Sequence, residues 1–530
     1  MKTLYKILLP LALLSSAALT GCKSGQGWQD AVNPLTYTDI PDNDVVRVGD
    51  DYYMASTTMY FCPGAPIMHS RDLVHWRIVN YVYDCLEDDD VYNLRNGRNA
   101  YGKSQWATSL RYVDGIWYAL FIANDQQKTY IYKTSDIEKG PWTRSVIDRP
   151  MHDASMLFED GHLYVLWGNG DLQLTELEPD GSAIKEGGID QLLLQAPREG
   201  YMLRAEGSHF YHIGDWYYIL EIDWPRGGVR TETCWRSKNL LGPYESKIML
   251  QGKFDGRNDG VAQGAIVDTP AGDWYAIMFQ DHGAVGRIPT IQPVEWVDGW
   301  PIMGDNTIPM KTVRVNLPAA GEDYVWAPDE FDSSELALVW QWNHRPDNDR
   351  WSLSERPGWM RLYAGEPVED IAHARNSLTQ RTVGPKCESA VKLDPASLKP
   401  GDRAGICAFQ SHNFALGVEV DADGAKSVVL RSNTPREKDV EVYRASLPLD
   451  DEVYLKINYM FTPGEGDTAE ADTATASWSI DGENWTDCGF TLQMRYTLDY
   501  FTGYRTALYC YSTSGDGGHA DFDWFRQEVK

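Results

Sequence analysis

One unit of alternating apolar and polar positions recurs along the first part of the chain. Each copy has an alternating strand, a tight turn that contains Gly and Asp, and an aromatic strand. The copies are VVRVGDDYYMAS, SLRYVDGIWYALFI, SMLFEDGHLYVLWG, SHFYHIGDWYYILE and AIVDTPAGDWYAIMF. This period and turn chemistry predict five β-hairpins. The copies recur at intervals of about 45 to 65 residues, which is within reach of the spacing of propeller blades.

A second strand pair follows several of these hairpins. The segments MHSRDLVHWRIV, YKTSDIEKGPWTRSVI and WRSKNLLGPYESKIM each contain a strand, a polar turn with Trp or Tyr, and another strand. Four strands per unit are typical of a propeller blade. The sequence therefore predicts a five-bladed β-propeller over about residues 30–320, which we expect to be the catalytic domain.

The pattern changes from about residue 328. Many short strands with period 2 follow without the Gly-Asp-aromatic signature, among them MRLYAG, FALGVEVDA, VYLKINYMF and ADFDWF. They predict a β-sandwich over residues 328–530. A chain of 530 residues is also too long for one core. We expect an all-β protein whose sandwich packs against the propeller without supplying catalytic acids.

The N-terminus has the pattern of a targeting segment. Lys2 and Lys6 precede an apolar stretch that ends in Leu19-Thr20-Gly21-Cys22, which resembles a bacterial lipobox. We predict a lipoprotein signal peptide at residues 1–21, lipidation of Cys22 and a tether at 22–29. A transmembrane anchor is the alternative, but the stretch is shorter than the roughly 20 residues of a bilayer span.

The residues after Cys22 bear on the location of the protein. In lipoproteins of the Bacteroidetes type, an acidic run after the cysteine tends to accompany surface export, and CKSGQG has none. We therefore expect the periplasmic face of the outer membrane, with membrane contact through the lipid alone.

Composition limits the partners. A formal net charge of −29 argues against nucleic acid, because phosphates require grouped Lys and Arg. The chain has 20 Trp and 30 Tyr, and flat aromatic faces suit stacking on sugar rings, although most aromatics are core residues in a strand-rich protein. We expect a monomer.

Seven of the eight cysteines remain once Cys22 is assigned to the lipid. Seven thiols cannot all pair within one chain, and no spacing suggests zinc. A disulfide between Cys62 and Cys85 within one sheet is an open alternative, but buried free thiols are the favoured prediction.

Three acids, Asp42, Asp153 and Glu206, lie a few residues ahead of the Gly-Asp turns of three different hairpins. The start of the innermost strand of a blade faces the central channel, so these carboxylates are expected to converge. Asp42 and Asp153 also have ordinary interpretations, as a turn residue and as a hydrogen-bond acceptor. Glu206 is harder to dismiss, because a charge beside glycine on an apolar strand is costly unless it is paired or functional.

The segments PDNDVVRVGDDYY, HDASMLF and AEGSHFY, in that order, resemble the three signatures of glycoside hydrolase family 43. That family contains inverting five-bladed-propeller enzymes that act on arabinose- and xylose-containing glycans. QWATSLRYVDGIWY and GRIPTIQPVEWVDGWPI extend the resemblance over the propeller. FDSSELALVWQWNH, ARNSLTQRTVGPKC and ADFDWF resemble the concanavalin-A-like (jelly-roll) sandwich that follows it in many members.

The resemblance implies a role for each acid. Asp42 would be the general base, Glu206 the general acid, and Asp153 the residue that orients Glu206 and raises its pKa by repulsion between like charges. Inverting hydrolysis requires such an acid and base on opposite faces of the sugar ring. Trp106 matches the family's aromatic wall beside the sugar, or else is a core residue. Arg287 matches an arginine that contacts substrate hydroxyls, or else forms a structural salt bridge.

Two positions depart from the family pattern. Asn43 follows the base where many members have proline. Gln263 stands where many have a histidine that helps to hold a central, often hydrated calcium ion, and His282 is a candidate substitute. No cofactor is required for the chemistry, so a structural Ca²⁺ is an open expectation and no metal ligand is assigned.

The predicted function is an inverting exo-acting hydrolase that releases α-L-arabinofuranosyl units from plant hemicellulose polysaccharides or oligosaccharides. A β-xylosidase acting on xylo-oligosaccharides is the close alternative. A retaining propeller fructosidase is disfavoured, because Pro41-Asp42-Asn43-Asp44 and Glu206-Gly207 differ from its Asn-Asp-Pro-Asn and Glu-Cys motifs. A non-catalytic glycan-binding lipoprotein is disfavoured because all three acids are present.

Overall fold

Five four-stranded antiparallel sheets follow one another in the first part of the chain. The computed structural model describes residues 27–254, 260–434, 436–447, 452–461, 472–515 and 517–530. Blade 1 consists of Asp44–Val48, Asp51–Ala55, Gly64–Ser70 and Arg77–Tyr83, and blade 2 of Gln105–Val113, Ile116–Ala123, Lys128–Thr134 and Thr143–Ile147. Blade 3 consists of Ser155–Glu159, His162–Asn169, Asp171–Leu177 and Asp190–Gln195. Blade 4 consists of Tyr201–Ile213, Trp216–Pro225, Thr231–Ser237 and Glu245–Gln251, and blade 5 of Val261–Asp268, Trp274–Asp281, Arg287–Val297 and Trp300–Met303.

The hairpin turns explain why these strands form where the sequence predicts them. In blades 2 and 3 the turns are Asp114-Gly115 and Asp160-Gly161, and all four residues have positive φ, between 50° and 84°. Two consecutive positive φ angles characterise the type I′ turn, whose twist matches that of the flanking strands. Asp tolerates this region and Gly enters it freely, so the Asp-Gly dipeptide determines the hairpin.

The ends of the propeller are joined by a short two-stranded sheet. Gln29–Val32 pairs antiparallel with Thr312–Val315, which follows blade 5. The Asn33 side chain donates hydrogen bonds of 2.8 Å to the carbonyl oxygens of Ile291 and Met310. The first described strand is therefore fixed to the last blade, which closes the ring.

Two large antiparallel sheets form the C-terminal sandwich. One consists, in spatial order, of Val440–Ser446, Lys426–Asn433, Asn413–Val420, Asp402–Phe409, Arg505–Ser512, Leu378–Arg381, Gln341–Asn343 and Phe61–Cys62. The other consists of Trp351–Ser352, Met360–Tyr363, His519–Val529, Lys386–Asp394, Val453–Met460, Thr473–Ser479 and Thr486–Gln493. Three short 3₁₀ helices, Gly283–Val285, Asn348–Arg350 and Ile371–His373, complete the described elements. The predicted all-β architecture of a five-bladed propeller followed by a sandwich is confirmed.

The two domains share a sheet. Phe61–Cys62 leaves blade 1 and pairs with Gln341–Asn343 as the edge strand of the sandwich. The Thr38 hydroxyl donates to the carbonyl oxygen of Thr382 (2.7 Å), and the Gly384 N–H donates to that of Tyr37 (2.7 Å). One buried hydrophobic cluster also combines blade residues such as Val285 with the sandwich core. The sandwich therefore packs against the propeller, as the sequence predicts.

The cysteine prediction was wrong for one pair. Cys62 and Cys85 form a disulfide, whereas buried free thiols were favoured. The edge strand Phe61–Cys62 brings Cys62 beside the segment after blade 1, with the two Cα atoms 5.2 Å apart, and the sequence shows no sign of this strand. The other described cysteines are free and buried: Cys234, Cys387, Cys407, Cys488 and Cys510.

Candidate active site

The three acids predicted from the sequence lie at the same end of the propeller. Asp42 and Asp153 each come two residues before the first strand of a blade, with φ of 55° and 45°. Glu206 lies within the first strand of blade 4, where the register with the second strand shifts on both sides of it. These irregular backbones turn the carboxylates away from the regular alternation of a strand.

The close approach of blade 5 explains why a glycine, Gly207, follows Glu206. Its φ is 66°, and a Cβ at this position would lie 2.6 Å from Cδ of Gln263 in blade 5. A side chain here would displace Gln263, whose Nε2 donates to Asp42 Oδ1 (3.2 Å). The glycine thus allows blade 4 to approach the residue that contacts the predicted base.

Asp42 is buried, and one of its carboxylate oxygens, Oδ1, accepts two hydrogen bonds. Arg287 Nη1 donates to Asp42 Oδ1 at 2.8 Å, in addition to Gln263. Burial raises the pKa of Asp42, and the positive charge of Arg287 opposes that shift. A carboxylate that is fixed by one oxygen and desolvated in a channel is suited to accept a proton from water.

Glu206 shares its surroundings with His152, a residue that the sequence analysis did not single out. Its Oε2 contacts His152 Nε2 at 3.1 Å and accepts a hydrogen bond from the Asn169 side chain. His152 Nε2 also lies 3.6 Å from Asp153 Oδ2. The carboxylates of Asp153 and Glu206 raise the pKa of His152 to about 9 against the effect of burial. A positive charge therefore lies between two carboxylates and offsets their repulsion.

Asp153 is buried next to His152 and Glu206. Burial raises the pKa of Asp153, the charge of His152 opposes the shift, and the carboxylate of Glu206 adds to it. The predicted proximity of Asp153 to Glu206 is therefore present, with the His152 side chain in contact with both. Which of these groups exchanges a proton with substrate stays a prediction.

A loop of the sandwich reaches this site. The Phe501 ring lies 4.7 Å from the guanidinium carbon of Arg287 and 5.5 Å, edge-on, from the ring of Trp106. Trp106 also packs edge-on against His152, with ring centroids 5.6 Å apart. The Gly503 N–H anchors the loop by donating to Asp39 Oδ2 at 2.9 Å. Trp106 and Arg287 therefore lie beside the acids, and an aromatic residue from the second domain lies between them.

Family models match both parts of the chain. The model described as "Glycosyl hydrolases family 43" matches residues 31–301, and that described as "Beta xylosidase C-terminal Concanavalin A-like domain" matches residues 328–528. The chain belongs to glycoside hydrolase family 43. It is 30% identical to a beta-xylosidase of Formosa agariphila over 96% of this chain and 92% of that protein. It is 27% identical to a non-reducing end alpha-L-arabinofuranosidase of Bacteroides ovatus over 93% and 94%.

Solved structures of the family have the same architecture. A bifunctional GH43-CE protein of Bacteroides eggerthii is 42% identical with a TM-score of 0.89, covering 95% of this chain and 64% of that one. This chain therefore spans less than two thirds of that protein. A GH43 glycoside hydrolase engineered to display both endo-xylanase and exo-arabinofuranosidase activity is 28% identical with a TM-score of 0.86, covering 95% of this chain and 100% of that one.

Within the described residues, the candidate active site contains one compact group of side chains that could bind a metal ion. Ligand atoms of His152, Asp153 and Glu206 lie within 4.8 Å of one another. The carboxylates of Asp153 and Glu206 raise the pKa of His152, and a protonated imidazole has no lone pair for a metal. A metal ion bound by His152 would therefore have to displace this proton.

His282, the other candidate ligand, is buried in blade 5. Its Nδ1 lies 2.9 Å from the Tyr37 hydroxyl and its Nε2 lies 3.0 Å from Gln280 Oε1. Both nitrogens are thus engaged by protein groups. Some buried oxygens, Asn43 Oδ1 and Glu232 Oε1 among them, have no hydrogen-bond partner within the described part of the chain. These are oxygen donors of the type that calcium prefers, but they belong to no compact group of described ligands, so the calcium ion stays a prediction.

Proposed function

We propose that this family 43 enzyme is an inverting, exo-acting hydrolase that releases single pentosyl units from hemicellulose polysaccharides or oligosaccharides. The observation that carries the proposal is the contrast between the two predicted catalytic carboxylates. Asp42 is buried and held by Arg287 and Gln263, whereas Glu206 is more exposed and is contacted by His152 and Asn169. Two carboxyl groups in different surroundings suit the base and acid roles of inverting hydrolysis.

The Phe501 loop supports the exo mode of action. It comes from the sandwich, is anchored to Asp39 and lies over Arg287 beside Trp106. A wall at this place would favour binding of the end of a glycan or of a single side branch. A long main chain running across the channel would meet the loop.

The sugar that is removed is a pentose, and β-xylosyl is our first candidate. Most of the similar curated proteins bear names of beta-xylosidases, as the F. agariphila relative does. The α-L-arabinofuranosyl unit expected from the sequence is the second candidate, supported by the name of the B. ovatus relative. The two pentoses present hydroxyls that similar pockets bind.

A panel of nitrophenyl glycosides tests this proposal. The purified protein is expected to cleave the β-D-xyloside, the α-L-arabinofuranoside or both, and to leave hexosides and fructosides intact. Proton NMR during cleavage of a natural oligosaccharide should show the anomer opposite to that of the substrate as the first product. First release of the same anomer contradicts inversion, and no hydrolysis of any pentoside contradicts the proposed activity.

We also propose that hydrolysis requires no metal ion, because two carboxylates suffice for this chemistry. Adding a chelator should leave most of the activity, measured as kcat/KM before and after treatment. A complete loss that is restored by Ca²⁺ contradicts this proposal and supports a central calcium ion instead.

We propose further that the protein is a lipoprotein of the cell envelope on the periplasmic face of the outer membrane. The residues concerned, Lys2, Lys6 and the cleavage site at Cys22, lie outside the described residues. No helix within the described part of the chain is long and apolar enough to span a membrane. Mass spectrometry should find a lipid on Cys22, and protease treatment of intact cells should leave the protein uncut. An unmodified Cys22 contradicts the lipid anchor, and cutting on intact cells contradicts the periplasmic face.

A further inference from the structure

A cavity of about 320 Å³ lies on the flank of blade 4 that faces blade 3. Tyr201 and Arg204 from the first strand of blade 4 and Asp223 from the second line its upper part, at the end of the propeller where Glu206 lies. Trp235 and Ser246, which are cross-strand partners, line it farther along the flank. Its volume is within the range of small-molecule sites.

The cavity is connected to Glu206 through one turn of blade 3. The Asn169 side chain in that turn donates to Glu206 Oε2. The next residue, Gly170, donates its N–H to the carbonyl oxygen of Ala205 at 2.7 Å, and a Cβ on Gly170 would lie 2.3 Å from the Arg204 guanidinium carbon. The same turn thus contacts the predicted acid on one side and the wall of the cavity on the other.

The Trp235 ring lines the cavity, and its buried Nε1 does not face the open space. The Arg204 guanidinium is held at the wall, because it donates to Asp171 Oδ1 (3.0 Å) and to the carbonyl oxygen of Ala196 (3.1 Å). Asp223 is only 8% exposed, and its Oδ2 accepts from the Thr233 hydroxyl at 2.7 Å. An indole, a buried carboxyl group and a guanidinium around a concave space make a lining of the kind that binds sugar hydroxyls.

We propose that this cavity is a second carbohydrate subsite, which binds a sugar unit of the chain attached to the leaving oxygen. This inference rests on the proposed function, in which Glu206 protonates that oxygen. The remainder of the substrate then lies on the Glu206 side of the cleaved bond, and the turn at Asn169 and Gly170 directs it toward the cavity. A short aryl glycoside has no sugar to place there, whereas a long oligosaccharide does.

The test compares the kcat/KM for xylohexaose with that for the nitrophenyl glycoside that the wild type cleaves. Ser246→Trp places a large side chain beside Trp235 at an exposed position and should lower the ratio about tenfold, or about 1.4 kcal/mol. Trp235→Phe replaces the indole in the cavity wall with a smaller ring and should lower the ratio about threefold, because less aromatic surface is left for a sugar to pack on. Ser182→Trp, an exposed position at the opposite end of blade 3, is the matched control and should keep the wild-type ratio.

The outcomes separate this inference from the proposed function. If the wild type cleaves both substrates and neither cavity variant changes the ratio, the subsite is wrong and the proposed function stands. If the wild type cleaves neither substrate, the proposed function fails, and calorimetry with xylohexaose then tests the cavity directly. Weaker binding by Ser246→Trp than by Ser182→Trp supports a sugar site, and equal binding or none overturns it. If Ser246→Trp does not fold, Trp235→Phe alone decides the result.

Discussion

Asp42 and Asp44 are two positions apart, just before and at the start of the first strand of blade 1, yet their contacts differ. Asp44 Oδ2 accepts from the Leu110 N–H (2.7 Å) and from Arg111 Nη1 (2.8 Å), which ties blade 1 to blade 2. Asp42 contacts Arg287 and Gln263 from blade 5. Asp42 has a φ of 55°, so its side chain does not follow the alternation of the adjacent strand. Asp44 therefore has a structural role between two blades, and Asp42 is the acid that we predict to be the base.

Replacing the two predicted catalytic acids should affect substrates differently. Glu206→Gln should be much less impaired on an activated aryl pentoside than on an oligosaccharide, because a stable leaving anion needs no proton. Asp42→Asn should lose about 10²-fold or more in kcat/KM on both, since every substrate needs activated water. Glu199→Gln, an exposed residue near Glu206 in the chain, is the control and should match the wild type. Equal losses on both substrates for Glu206→Gln contradict its role as the acid.

His152 should make stability depend on pH. Its pKa is raised to about 9 in the folded protein, above the ordinary value of 6.5. The stabilisation is therefore complete below about pH 6.5 and is lost as the pH rises through about 9. His152→Gln removes this charge, so the difference in urea midpoint between wild type and variant should shrink from pH 6 to pH 9.5. A difference that stays constant over this range contradicts the assignment.

At the scale of elements, the sandwich loop 500–503 contributes to the site. Phe501 has a φ of 57°, which turns its ring over Arg287. Gly503 allows the close approach, because a Cβ there would lie 2.1 Å from the carbonyl oxygen of Val285. A loop from the second domain therefore lies beside the predicted catalytic residues, in addition to the supporting role expected of the sandwich from the sequence.

Phe501→Ala should weaken substrate binding more than it slows the chemical step. We expect the KM for a pentoside to rise about tenfold with a smaller change in kcat, because the ring contacts ground state and transition state alike. Phe490→Ala, a half-buried residue in the edge strand Thr486–Gln493 of the other sandwich sheet, is the control and should keep the wild-type KM. A loss confined to kcat contradicts the binding role.

At the scale of the whole molecule, the two domains depend on each other. The edge strand Phe61–Cys62 belongs to blade 1 in sequence and to the sandwich in hydrogen bonding. Arg381 of the sandwich donates from Nε to the carbonyl oxygen of Asp39 at 3.1 Å, and the Asp39 carboxylate holds the Arg287 N–H. The segment that positions Asp42 is therefore fixed partly by the second domain.

A chain that ends at residue 325 tests this dependence. Without the sandwich, the strand Phe61–Cys62 loses its partner and the propeller exposes apolar residues that are now buried. We expect the truncated protein to unfold at a lower temperature and to lose most of its turnover, measured by circular dichroism and with an aryl pentoside. A truncated protein that folds and keeps full turnover shows that the packing is dispensable.

The local elements and the candidate acids follow from the amino-acid sequence alone. The Asp-Gly turns and period-2 strands specify the hairpins through φ preferences and side-chain alternation, which depend on neighbouring residues alone. Asp42, Asp153 and Glu206 each lie a few residues ahead of a hairpin turn, and this repeated placement predicted that they would lie at one end of the propeller. Arg287 and Trp106 came from the family resemblance.

Side chains from distant parts of the chain meet at the candidate site only because of how the blades and the sandwich pack. His152 stands next to Asp153 in the sequence, but its contact with Glu206 depends on how blades 3 and 4 pack. Phe501 follows Arg287 by more than two hundred positions, and the disulfide of Cys62 and Cys85 depends on a strand that joins the other domain. No local periodicity encodes these contacts, because they result from the closure of the ring and the docking of the sandwich.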